Sequence, residues 1–135
     1  MRSALKISAA MALALALVIP AAAQQKPDPA KVAGAWALEV NAGGEFYYLT
    51  LELRIKDGKL EGGLSEQNGM FTNSPLANIE FDGTLLKFDC KIPTPPDGAE
   101  RLAKTEMKLV AAGKLEGQLS LPDMGMTVGC NGTKK

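Results

Sequence analysis

Cys90, Cys130, Met124 and Met126 are the side chains of this 135-residue chain with obvious ligand or redox chemistry, and no His accompanies them. Without His, the commonest general base is missing, and so are Ser-His and Cys-His nucleophile pairs and most zinc sites. Met124-x-Met126 close to Cys130 is the soft thioether and thiol set that suits Cu(I). The competing reading is stronger: Met126 and Cys130 fall in phase with an apolar strand face, where Met is a routine gap filler. No metal site and no cofactor are therefore assigned. Asn131-Gly132-Thr133 has the form of a glycosylation acceptor, which matters only in a eukaryotic secretory pathway.

The Asp, Glu, Lys and Arg residues of the strand-like segments alternate with apolar residues and so belong to a solvated face. The apolar sets that oppose them carry no ionisable group, whereas catalysis inside such a fold needs one facing the cavity. The expectation is a protein that is not an enzyme. Lys+Arg 15 against Asp+Glu 15, with no basic cluster, argues against nucleic acid as a partner.

Arg2 and Lys6 precede an apolar run over residues 7–19, which ends at Pro20 and Ala21-Ala22-Ala23. That order of charge, apolar stretch and small residues is a secretory signal, and the run is too short to span a bilayer. Residues 1–23 read as a signal peptide cut before Gln24, residues 24–31 as a flexible leader rich in polar residues and proline, and residues 32–135 as the domain. No Cys follows the cut, which speaks against a lipid anchor. The mature protein is expected to be secreted or periplasmic, with no membrane span after cleavage.

The domain reads with period two. Tyr47, Leu49, Leu51, Leu53 and Ile55 alternate with Tyr48, Thr50, Glu52, Arg54 and Lys56. Leu86, Phe88, Cys90 and Ile92 alternate in the same way, as do Thr105, Met107 and Leu109, and Leu115, Gly117, Leu119 and Leu121. Shorter sets are Trp36, Leu38, Val40; Leu60, Gly62, Leu64; Ala77, Ile79, Phe81; and Met126, Val128, Cys130. Eight strands result. Asp57-Gly58, Asp82-Gly83 and Ala112-Gly113 read as tight hairpin turns. Residues 41–45, 66–75, 93–100 and 122–125 read as longer loops, which a meander places together at the opposite end. Lys59-Leu60-Glu61-Gly62 recurs as Lys114-Leu115-Glu116-Gly117, consistent with a duplicated hairpin unit or with the common look of a strand leaving a Gly turn. The fold expected is an all-β, eight-stranded antiparallel up-and-down barrel, with a two-sheet sandwich as the alternative.

Cys90 and Cys130 sit on the apolar faces of strands five and eight. An exported pair favours a disulfide, but strands so far apart in a meander oppose the required approach of about 7 Å between Cα atoms. A disulfide and two buried thiols both stand open.

Gly34-Ala35-Trp36 at the head of the first strand, followed by the meander, resembles the lipocalin-like group of small eight-stranded barrels, the calycin type. The resemblance gives Gly34 and Trp36 a structural role, with the Trp lying across the closed end, and it implies a small apolar ligand inside. Where that group has an Arg covering the Trp, this chain offers Lys134 or Lys135. The expected lining is Leu38, Tyr47, Leu49, Leu51, Phe88 and Met107, with Met70 and Phe71 at the entrance as a plug or as a contact. Gly34, Gly62 and Gly117 are inward glycines that mark either bends or, beside the small inward residues Ala77 and Ala103, room for the ligand. The alternative function is a solid-cored module that grips an exported protein or the cell envelope through loops 66–75 and 93–100, the second stiffened by Pro93, Pro95 and Pro96.

Overall fold

The computed structural model describes residues 27–135, so the signal peptide expected over residues 1–23 and its cleavage point lie outside the described residues. Eight strands follow in order: β1 Gly34–Ala42, β2 Glu45–Lys56, β3 Lys59–Glu66, β4 Ser74–Phe81, β5 Leu85–Thr94, β6 Ala99–Ala111, β7 Lys114–Leu121 and β8 Met126–Lys134. Each pairs antiparallel with its sequence neighbours, and β8 returns to β1, giving a closed barrel in the order β1 to β8. Closure leaves no free sheet edge, and it excludes the two-sheet sandwich. No helix among the described residues is long and apolar enough to cross a membrane.

One end is sealed. Asp57 and Gly58, both at positive φ (53° and 77°), make the β2–β3 turn that the Asp-Gly pair implies. The β4–β5 connection is longer than two residues. There the Asp82 carboxylate accepts from the Thr84 and Leu85 amides at 2.9 and 2.8 Å, and these bonds hold its pKa below the ordinary value. Residues 29–31, within the expected flexible leader, form a 3-10 turn capped by the Asp28 side chain. That turn delivers Val32, fully buried, beneath the barrel, where its carbonyl accepts from Trp36 Nε1 at 2.8 Å. Trp36 is likewise fully buried and lies across this end.

Two further expectations are corrected. The β1–β2 connection is only Gly43-Gly44, both at positive φ, because Asn41 Oδ1 accepts from the Gly44 amide and closes the turn early. In β4 the register shifts between Ala77 and Glu80, with Asn78 at φ 51°, so Leu76 faces the interior and Ala77 faces solvent. A bulge reverses the phase of a strand, and alternation alone does not register it. The seam between β3 and β4 is thin, paired only at Gly63↔Pro75 and Leu64↔Ser74.

Gly62 and Gly117, the equivalent positions of the repeated tetrapeptide, are points of close backbone approach. A Cβ on Gly62 would run into the Glu52 carbonyl, and one on Gly117 into the Glu106 carbonyl. They mark tight packing of each strand onto its hairpin partner and leave no room for a ligand.

Candidate functional site

The interior divides along the barrel axis. Trp36, Leu38, Leu51, Leu64, Leu86, Phe88, Met107, Leu115 and Cys130 are at most 2% exposed and fill the half nearer the sealed end. Toward the loop end the side chains part around a cavity of about 260 Å³ that opens to solvent. Its walls are Val40, Tyr47, Leu49, Ile92, Leu119, Leu121 and Val128 from the strands, with Phe71, Met70, Met124, Met126 and the Pro93–Pro96 stretch nearer the rim.

Three loops shape this mouth. The β3–β4 loop is wound on Glu66, the last residue of β3, whose Oε1 accepts from the Asn68 and Met70 amides at 2.8 and 3.0 Å. The Glu66 amide donates to the Phe71 carbonyl at 2.9 Å, which turns the loop back. As a result Phe71 folds inward, 8% exposed, while Met70 stands on the rim at 45%. The two residues therefore separate into a plug and a rim contact.

The β5–β6 loop is a fixed wall. Arg101 grips Asp97 with two parallel bonds of 2.9 and 3.0 Å and donates from Nη1 to Thr94 Oγ1 at 2.7 Å. The Arg101 guanidinium, with help from the Ala99 amide, holds the Asp97 carboxyl well below the usual carboxylate range. The third loop is a 3-10 turn, Pro122–Met124, ended by Gly125 at φ 61°. It sets Met124 and Met126 on the rim, each 37% exposed.

Of the residues expected from sequence to line the site, Tyr47, Leu49, Met70 and Phe71 border the cavity. Leu38, Leu51, Phe88 and Met107 lie in the packed half below it, and Ala103 is fully buried. Both loops proposed as contact surfaces, 66–75 and 93–100, contribute to the mouth. Cys90 and Cys130 are free thiols in the wall. Cys90 stands beside Leu76 and Ala103, and Cys130 beside Val40 and Gly117, so neither strand brings one to the other. Burial pushes both thiols up, Cys90 to about 11 with Glu100 adding to the effect, and Cys130 to about 12.

The residue that sequence reasoning missed is Glu66. It is only 7% exposed and borders the cavity, so the interior face is not free of charge at its mouth. The signal is in the sequence: Glu66 continues the inward series Leu60, Gly62, Leu64 by one more step of two. Val40, Ile92, Leu119 and Val128 were in phase as well; what alternation lacks is the position along the barrel axis at which packing gives way to space.

A second, more open cleft of about 460 Å³ runs beside the β3–β4 seam, between Pro27 and Pro29 and the side chains of Leu60, Leu76, Ile79 and Phe81. It is larger but more open, and its lining is less apolar, so the mouth cavity is the better candidate site. Compared with family models, curated proteins and solved structures, the chain matches none of them.

Proposed function

We propose that this chain is an exported barrel that carries one small apolar or amphipathic molecule in its mouth cavity. The observation that carries the reading is the apolar cavity of about 260 Å³, open at the loop end of a barrel whose other end is closed by a buried Trp36. That volume falls just under the range of about 300–1,000 Å³ typical of sites for drug-sized ligands, which sets the cargo as small. The lining is aliphatic, thioether and aromatic, so transfer from water is driven by burial of apolar surface. Export follows from the signal-like residues 1–23, and the lipocalin-like resemblance of Gly34-Ala35-Trp36 agrees with a carrier. No catalytic role is part of the proposal.

A second reading draws on exposed side chains. Met70, Met124 and Met126 on the rim, with Phe46 and Tyr48 nearly half exposed on β2, offer an apolar ring to an exported protein. Native mass spectrometry of the protein purified from its own cell without organic solvent separates the two. A co-purifying small mass released by solvent extraction supports the carrier. A ligand-free mass that survives exposure to lipids and small apolar compounds contradicts it and leaves the interaction module.

A further inference from the structure

The mouth has a charge as well as a shape. Glu66 is a carboxylate nine-tenths buried at the cavity wall, and among the described residues no Lys or Arg pairs with it: the ion pairs are Arg54–Glu61, Arg101–Asp97 and Lys104–Asp89. Its Oε1 is committed to the Asn68 and Met70 amides. No donor among the described residues reaches Oε2. No side-chain oxygen that is fully shielded lacks a hydrogen-bond partner, so Oε2 is open, on a residue whose setting is the cavity. A carboxylate oxygen that the fold leaves without a donor is available to accept a charge-assisted bond from a cation supplied from outside.

The surrounding charges point the same way. The segments that build the mouth, 41–46, 66–74, 93–101 and 121–126, carry Glu45, Glu66, Asp97, Glu100 and Asp123 against one base, Arg101, and that base is already bound to Asp97 and Thr94. The sealed end is the reverse, with Lys31, Lys56, Lys59, Lys114, Lys134 and Lys135 against Asp28, Asp57 and Asp82. A barrel polarised along its axis draws cations to the mouth and repels anions from it.

We infer that the mouth cavity takes an amphipathic cation, an amine with an apolar body, whose ammonium group pairs with Glu66 Oε2 while the body lies against Leu49, Leu119 and Phe71. The inference rests on the carrier reading and names its ligand class. An ammonium donates to the carboxylate with a charge-assisted bond, an alcohol with an ordinary one, and a carboxylate ligand meets only repulsion.

Three probes with one naphthalene body test it by isothermal titration calorimetry: 2-(aminomethyl)naphthalene, 2-naphthalenemethanol and 2-naphthoate. The expected order is amine, alcohol, carboxylate, with the amine about tenfold or more tighter than the alcohol. Glu66→Gln, which keeps an acceptor for the loop amides, is expected to bring the amine-to-alcohol ratio close to one. Because Glu66 also holds the loop, the ratios on the unaltered protein decide first and stand without the variant. An alcohol or carboxylate that binds as well as the amine overturns the inference and leaves the carrier reading intact. So does an amine preference that survives Glu66→Gln. Binding of none of the three overturns the carrier reading itself, and the inference falls with it.

Discussion

Lys134 Nζ stands 5.6 Å from the centre of the Trp36 ring, and the two residues are direct partners across the β8–β1 seam. The last strand thus lays its cation over the aromatic that closes the barrel floor, at the point where the first and last strands must meet. Lys135 completes the seam by donating its amide to the Ala35 carbonyl at 2.9 Å. The floor is therefore built from both ends of the domain, and the apolar cavity stands at the opposite end.

The two halves of that contact carry different weight. Trp36→Ala empties the floor and is expected to cost about 3–5 kcal/mol. Lys134→Ala removes a partly exposed cation–π contact and is expected to cost about 0.5–1 kcal/mol. Urea denaturation of both variants checks the contrast; equal losses would contradict it.

Gly62→Ala and Gly117→Ala drive a methyl group into a neighbouring strand's backbone, and each is expected to cost about 1–3 kcal/mol or more. Gly129→Ala is the control, because nothing lies within 4 Å of where its Cβ would stand. That variant is expected within about 0.5 kcal/mol of the parent. Thermal unfolding of the three, side by side, reads the difference.

The thiols set a pH dependence. From the ordinary value of 9.0, burial raises Cys90 to about 11 and Cys130 to about 12 in the folded protein. As pH rises past 9 the unfolded chain sheds protons that the folded chain keeps, so stability falls from there through pH 11 for Cys90 and pH 12 for Cys130, and these groups contribute in full well below pH 9. The Cys90→Ala/Cys130→Ala protein is expected to show a shallower fall in its urea midpoint over that interval. In the parent at pH 8, iodoacetamide should label neither thiol until the protein unfolds; prompt labelling of the native state would contradict their burial.

Met107 and Met126 separate stability from binding. Met107 is fully buried in the packed half, and Met107→Ala is expected to cost about 2–5 kcal/mol. Met126 is 37% exposed on the rim, and Met126→Ala is expected to cost under about 1 kcal/mol while weakening an apolar probe in the mouth. Paired denaturation and calorimetry check this; loss of probe binding only with loss of fold would contradict it.

The barrel was legible because alternation and turn chemistry are local. Tyr47 to Leu53 show which face is buried, and Asp57-Gly58 show where the chain reverses. Three things leave no mark on the alternation. The Asn78 bulge flips the phase of Leu76 and Ala77, and a backbone dihedral leaves no mark on apolar periodicity. Gly43-Gly44 shortens a connection through one side-chain bond from Asn41. The cavity's height along the axis depends on how neighbouring strands are staggered, so Leu38 and Leu49 read alike in sequence although one packs and the other lines a space. Glu66 is the remaining difference: its phase continues β3 by one residue, whereas the sequence reading starts the 66–75 loop there.

The central claim is that the loop half of the barrel is hollow and receives a ligand while the Trp36 half is solid. Methyl NMR of the full domain titrated with 2-naphthalenemethanol tests it most directly. Saturable shifts are expected at Leu49, Leu119, Met70 and Met126, with Leu86, Met107 and Leu115 unmoved. Shifts confined to Leu86, Met107 and Leu115, or no saturable shift at any methyl group, would contradict it.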